Sequence, residues 1–178
     1  MLEEIIEAAR QAGKIMLEAE KASIDVKEKT GSANFVTQYD MAVQENLRQA
    51  LQKICPGAAF LGEEGNDRPE QTELVFIVDP IDGTTNFIHG YRHSAISIAL
   101  ARRGRVEYGV VYNPYTQEIF SAARGQGAYR NGAPIHVSNR PMKEALICFG
   151  TSPYDPSLAE PSFRLAKRLF DMAADIRR

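Results

Sequence analysis

Apolar residues recur every three or four positions from the start of the chain. Ile5, Ala9, Ala12, Met16 and Ala19 share one side of a helical wheel, and Glu3, Glu7, Arg10, Lys14 and Glu18 lie mostly opposite. A helix of 3.6 residues per turn returns such positions to one face, so the pattern predicts an amphipathic helix over about 2–20. Val43, Leu47, Leu51 and Ile54 repeat it and predict a second helix over about 38–55. Cys55-Pro56-Gly57 stops that helix, because proline lacks the backbone donor and glycine tolerates the exit. Gly31-Ser32-Ala33-Asn34, between the two, reads as a loop.

The period then changes. Leu74 to Val78 is an unbroken apolar run, short and β-branched, and predicts a buried strand. Further strands are expected over 95–101, 106–112, 118–122 and 145–149, with Arg103-Gly104 joining two of them and Asn131-Gly132 as a hairpin turn. Leu158, Leu165, Leu169 and Met172 mark a last helix over about 157–174. Two helices, a mainly antiparallel sheet over about 74–150 and a final helix read as one layered α+β unit over 1–178, not a regular βαβ alternation.

Charge and composition narrow the function. Lys plus Arg number 21 against 23 for Asp plus Glu, so no single-sign field points to nucleic acid or an anionic membrane. No apolar run approaches a membrane span, and Met1-Leu2-Glu3-Glu4 does not open a secretory signal, so a cytoplasmic location is expected. Cys55 and Cys148 are too few for a disulfide framework or a Cys-rich zinc site, and each reads as a small buried apolar residue.

The chemistry concentrates in Gly62-Glu63-Glu64-Gly65 and in Val78-Asp79-Pro80-Ile81-Asp82-Gly83-Thr84-Thr85-Asn86. A buried strand delivers Asp79, and Asp82 follows across an expected tight turn, so the two carboxylates can converge. Unpaired, they repel and one stays protonated; a divalent cation removes the conflict. Oxygen donors with no histidine beside them favour Mg²⁺, with Mn²⁺ as substitute, over Zn²⁺. Gly83 permits a sharp turn, and N–H groups at a helix start after it would face a phosphate. Taken alone, the same Asp-Gly-Thr string also suits a structural helix cap.

The whole string resembles the inositol monophosphatase family of lithium-sensitive, Mg²⁺-dependent phosphomonoesterases. Gly62-Glu63-Glu64 and Val78 through Phe87 carry the resemblance, and Asn34-Phe35-Val36-Thr37-Gln38-Tyr39-Asp40 looks like the family's Val-Thr-x-x-Asp segment. Gly109-Val110-Val111-Tyr112, Gly125-Gln126-Gly127-Ala128 and Asn131-Gly132 resemble further family stretches. The resemblance implies an αβαβα sandwich of the inositol monophosphatase/fructose-1,6-bisphosphatase type, with the second α/β half largely missing.

It further implies two or three Mg²⁺ per site and hydrolysis of a small sugar or polyol phosphate, inositol 1-phosphate first, by a metal-activated water. Glu63 looks like a ligand of the first metal, Asp79 a bridge, the Ile81 carbonyl a backbone ligand and Asp82 a ligand of the second. Gly83 and Thr84 would bind phosphate through N–H groups, with Asp82 beside them. Thr84 and Asp40 would orient the attacking water. Glu64 would shape the loop, and Lys29 falls at a position that is basic in relatives. A homodimer is implied as well. Alternatives are a fructose-1,6-bisphosphatase, a histidinol-phosphatase, or a non-catalytic relative that binds protein or RNA. Family members run on for roughly a further third of this length, through a segment with a Trp-Asp pair, and this chain has no Trp. A fragment or truncated form with impaired activity, prone to self-association, is therefore expected.

Overall fold

A computed structural model describes residues 1–19, 26–28, 35–65, 72–151 and 155–177. The chain divides into two compact units, Met1–Lys27 with Phe35–Ile135, and Glu28–Asn34 with His136–Arg178. In chain order the elements begin with α1 (Leu2–Ala19), β1 (Val26–Glu28), whose last residue falls in the second unit, β2 (Phe35–Thr37) and α2 (Gln38–Ile54), with β1 and β2 paired. β3 (Ala59–Gly62), β4 (Leu74–Asp82), α3 (Thr84–Ile88), β5 (Ala95–Arg102), β6 (Arg105–Asn113), β7 (Glu118–Ala123), β8 (Ala128–Arg130) and β9 (Ala133–Ile135) follow. The seven strands β3 to β9 form one sheet in sequence order. β3 runs parallel to β4, and every later neighbour is antiparallel.

α1 and α2 lie on one face of this sheet because their apolar stripes have nowhere else to go. Ile5, Ala9, Ala12 and Met16 from α1 and Val43, Leu47 and Leu51 from α2 are buried with Phe76, Ile96, Ile98, Leu100 and Val110 from the strands. Alternate strand residues point away, which is why Ile77, Val111 and Phe120 are exposed while their neighbours are not. Gly13 lets α1 come this close: a Cβ there would lie 2.6 Å from the Tyr112 ring on β6. The two-residue hairpins close where expected, with both turn residues at positive φ in Arg103-Gly104 and in Asn131-Gly132.

The second unit holds β10 (Leu146–Cys148), α4 (Ala159–Met172) and β11 (Asp175–Arg177). β10 and β11 are a parallel pair, and parallel strands need a crossover, which α4 supplies. Strand 146–148 therefore leaves the sheet expected over 74–150, and the main sheet instead runs from Ala59 to Ile135. β3 escapes the sequence pattern because it is only four residues long. Cys55 is half-buried and Cys148 exposed, so neither is the fully buried apolar residue expected. No described helix is long and apolar enough to cross a membrane.

Candidate active site

The N-terminus of α2 builds the first part of the site. Thr37 caps the helix, accepting from the Tyr39 and Asp40 N–H groups, while Asp40 reaches back to the Thr37 N–H at 2.7 Å and hydroxyl at 2.6 Å. This reciprocal box satisfies donors that a helix start leaves open. Asp40 is fully buried, and its other oxygen faces the Thr84 hydroxyl at 3.3 Å. That hydroxyl also lies 3.1 Å from the Ile81 carbonyl, and its single proton serves one acceptor at a time. Asp40 thereby ties α2 to the start of α3, 44 positions along the chain.

One turn further, Gln44 clamps the loop after β3. Its Nε2 donates to the Glu64 carbonyl at 2.7 Å and its Oε1 accepts from the Glu64 N–H at 2.9 Å. The Glu63 N–H donates to the Val78 carbonyl at 3.0 Å, so the loop is also pinned to β4. Gly62 makes room for the clamp. Replacing Gln44 by Leu leaves two backbone groups of a buried residue unpaired, at about 1–3 kcal/mol each. Thermal melting is expected to register about 2 kcal/mol or more of lost stability, with Mn²⁺ affinity falling too; unchanged Mn²⁺ affinity would detach Gln44 from the site.

β4 carries the acidic residues. Its pairing with β5 slips between Asp79 and Asp82, which lie opposite Ser97 and Ala95. Three steps on one strand against two on the other make a bulge, and a bulge both admits Pro80 and re-aims the flanking side chains. The two aspartates thus sit on one irregular strand, not across the tight turn expected. Gly83 follows at φ +86° and caps the short helix α3, where a Cβ would stand 3.1 Å from the His93 carbonyl.

Asp79 is the unusual group. Its Oδ1 is buried with no hydrogen-bond partner among the described residues. Burial first, then the charge of Glu63 and a hydrogen bond with it, then the charge of Asp82, push its carboxyl up to about 8; a hydrogen bond from the Ile81 backbone opposes them. A buried oxygen without a partner is costly and calls for an explanation, an ion among the candidates. Glu63, Asp79, Asp82 and the Ile81 carbonyl are an all-oxygen donor set, which fits Mg²⁺ or Mn²⁺. The structure brings Glu63 and Asp79 into hydrogen-bond contact and places Asp82 near enough to act through its charge. Among the described residues, no group of three His, Cys, Asp or Glu is drawn together tightly enough to hold an ion.

The inositol monophosphatase family model matches residues 1–178. The chain belongs to the inositol monophosphatase family. Among relatives of this inositol monophosphatase family member, the inositol-1-monophosphatase of Rhizobium meliloti is 39% identical over 157 residues, which are 85% of this chain and 58% of that protein. The Nus factor SuhB of Pseudomonas aeruginosa is 38% identical over 151 residues, 83% of this chain and 56% of that protein. The chain thus spans little more than half of either. The crystal structure of the extragenic suppressor protein suhB from Bartonella henselae superposes with a TM-score of 0.89 at 34% identity, covering 99% of this chain and 69% of that one. The α+β fold is therefore the family's.

Placed on this frame, Asp40, Glu63, Glu64, Asp79, Ile81, Asp82, Gly83 and Thr84 all belong to the first unit. Glu64 is buried with its backbone held by Gln44. Lys29 lies outside the described residues. Gln44 was not anticipated. Its signal was available: a lone amide at 44, on the helical stripe that continues through Leu47 and Leu51.

Proposed function

We propose that this chain hydrolyses a small sugar or polyol phosphate monoester, inositol 1-phosphate being favoured, in a reaction that depends on Mg²⁺. The observation that carries the reading is Asp79, a partly buried carboxyl with an orphaned oxygen, hydrogen-bonded to Glu63 and facing the charge of Asp82. Such a group is poorly served by water or protein and well served by a cation. Glu63, Asp79, Asp82 and the Ile81 carbonyl would hold the ions. When bound, they supply positive charge for the phosphoryl oxygens and activate water for attack on phosphorus.

The chain's own residues do the rest. Gly83 and Thr84 offer N–H groups to the phosphate at the start of α3. The Thr84 hydroxyl, held between Asp40 and the Ile81 carbonyl, orients the attacking water. Asp40 fixes that hydroxyl and the α2 cap together, so a rigid helix start positions the reacting oxygen. Lithium sensitivity, a homodimeric state and a cytoplasmic location complete the reading.

Phosphate release from inositol 1-phosphate in Mg²⁺ tests it. Asp82→Asn is expected to lower release by about 100-fold, the upper range for even an outer partner of a metal ligand. Equal release by both proteins would contradict the reading. Release by neither would favour a second one, a non-catalytic role in binding protein or RNA, in keeping with a relative named Nus factor SuhB.

A further inference from the structure

Gly83 is the first residue past the end of β4. Asp82 is still paired, opposite Ala95 on β5, and the ladder ends there. The φ of +86° at Gly83 is one that glycine permits without enforcing. Glycine also has more conformational freedom to lose than any other residue, so the turn needs support from its surroundings.

One side of α3 is anchored on α2. The Thr84 hydroxyl lies 3.3 Å from Asp40, and the buried Phe87 ring meets the Tyr39 ring edge-on, 6.0 Å between centroids. Asn86 lies on the other side of this short helix. Its Nδ2 donates to the His93 carbonyl at 2.7 Å, and its own carbonyl accepts from the Tyr91 N–H at 2.9 Å. Arg92, between those two partners, is held at φ +56°. A residue with a side chain rarely takes that conformation and keeps it only where its surroundings over-determine it. Here the backbone is bonded to Asn86 on both sides of the strained residue.

The Asn86–His93 bond passes directly behind Gly83. A Cβ at position 83 would stand 3.1 Å from the His93 carbonyl oxygen, 3.3 Å from Asn86 Nδ2 and 3.6 Å from the Ser94 Cα. Acceptor and donor of one hydrogen bond are thus the first two atoms that the turn backs onto. Ser94 is itself buried, so the wall they form is part of the packed molecule.

We propose that Asn86 is a positioning residue for the phosphate-binding turn: its amide draws the His93 carbonyl in behind Gly83 and so keeps the Gly83 and Thr84 N–H groups aimed at the phosphate. The inference rests on the hydrolase reading above, which gives those two groups the phosphate. Asn86 acts through Gly83 and does not touch the phosphate. Donors held in place before the ligand arrives cost nothing to orient when it binds. The remaining parts of the site have other supports. Asp40 and the Ile81 carbonyl flank the Thr84 hydroxyl, the Glu63 N–H is bonded to the Val78 carbonyl, and Asp79 and Asp82 lie in the ladder with β5. Loss of the Asn86 amide therefore separates phosphate binding from metal binding.

Two variants test this. Asn86→Leu keeps the size of the side chain and removes its donor, and Asn86→Ala removes both. Inorganic phosphate is titrated calorimetrically into the 178-residue chain loaded with Mn²⁺, and Mn²⁺ into the metal-free chain. Each variant is expected to bind phosphate about tenfold more weakly, the scale of one lost hydrogen bond, and Mn²⁺ as tightly as the original. ¹⁵N relaxation supplies a readout that needs no ligand. Order parameters at Gly83 and Thr84 should fall from about 0.85 toward 0.6, while those at Glu63 and Asp79 hold. The variants differ in packing, so either one suffices if circular dichroism shows the other unfolded. A residue that merely closes a loop would lower thermal stability and leave phosphate affinity unchanged. That result, equal losses of phosphate and Mn²⁺ affinity, or unaltered order parameters at Gly83 would each overturn the proposal. If the unmodified chain binds Mn²⁺ and no phosphate, the hydrolase reading fails, and the order parameters decide for Asn86: a fall at Gly83 upholds it as the support of the turn, and no change overturns it.

Discussion

Asp79→Asn is expected to abolish the response of this protein to Mn²⁺ and, at pH 8 without metal, to raise its melting temperature. Both effects come from the same carboxyl. In the folded chain it is pushed up from 3.8 to about 8 by burial and by its acidic neighbours. The folded state therefore holds a proton that the unfolded state releases between about pH 4 and 8. Stability contributed by that proton is complete below pH 4 and is lost as pH rises toward 8. Asparagine is neutral throughout, so the variant has a flatter profile across this window and overtakes the original near its upper end, by roughly 3 °C or more. With Mn²⁺ present the order reverses. Binding to the folded state alone stabilises by mass action, and the variant lacks the carboxylate that makes binding possible. Melting curves at pH 5 and pH 8, with EDTA or with Mn²⁺, check all four corners. A variant that melts below the original at pH 8 in EDTA, or that Mn²⁺ still stabilises, contradicts this assignment. Such exchange of stability for function is common where like charges are held together for chemistry.

Gly62→Ala is expected to be the most damaging exchange of one small residue for another. A Cβ at position 62 would lie 2.2 Å from Gln44 Oε1 and 2.5 Å from its Cδ. The amide cannot simply swing away, because both of its ends are bonded to the Glu64 backbone. Overpacking of about 1–3 kcal/mol is joined by the cost of unpaired Glu64 groups, about 1–3 kcal/mol each. Glu63 sits between the two residues affected, so Mn²⁺ affinity should fall as well. The cause is separable. In a Gln44→Ala background the clash is gone and the clamp is already lost, so Gly62→Ala should cost much less there than in the original protein. Additive losses in chemical denaturation would show that the two residues do not act on each other.

The parts of this fold that the sequence pattern reveals are those whose physics is local. α1 and α2 follow from apolar spacing, and Asn131-Gly132 and Arg103-Gly104 from the positive φ their turns demand. The long-range parts were not legible. β3 is four residues whose pairing with β4 is decided by distant partners. Pro80 reads as the end of a strand, yet β4 continues through it because the bulge between Asp79 and Asp82 removes the need for its missing donor. β10 looked like one more strand of the main sheet, whereas its partner is β11, far along the chain and too short to announce itself. The acidic residues themselves were read from their motif, but their support was not. Gln44 meets Glu64 twenty positions away, and Asp40 meets Thr84 only because the Thr37 cap turns it inward. Charge and spacing identify what a site is made of, while the groups that hold it in place are set by packing.

The most direct test is an anomalous map from crystals of this chain soaked in MnCl₂. A peak touching the Asp79 and Glu63 carboxylates, with the hydrogen bond between them broken, is the result expected. A map that shows manganese elsewhere in the crystal, and none beside Asp79 while that hydrogen bond persists, would contradict the account.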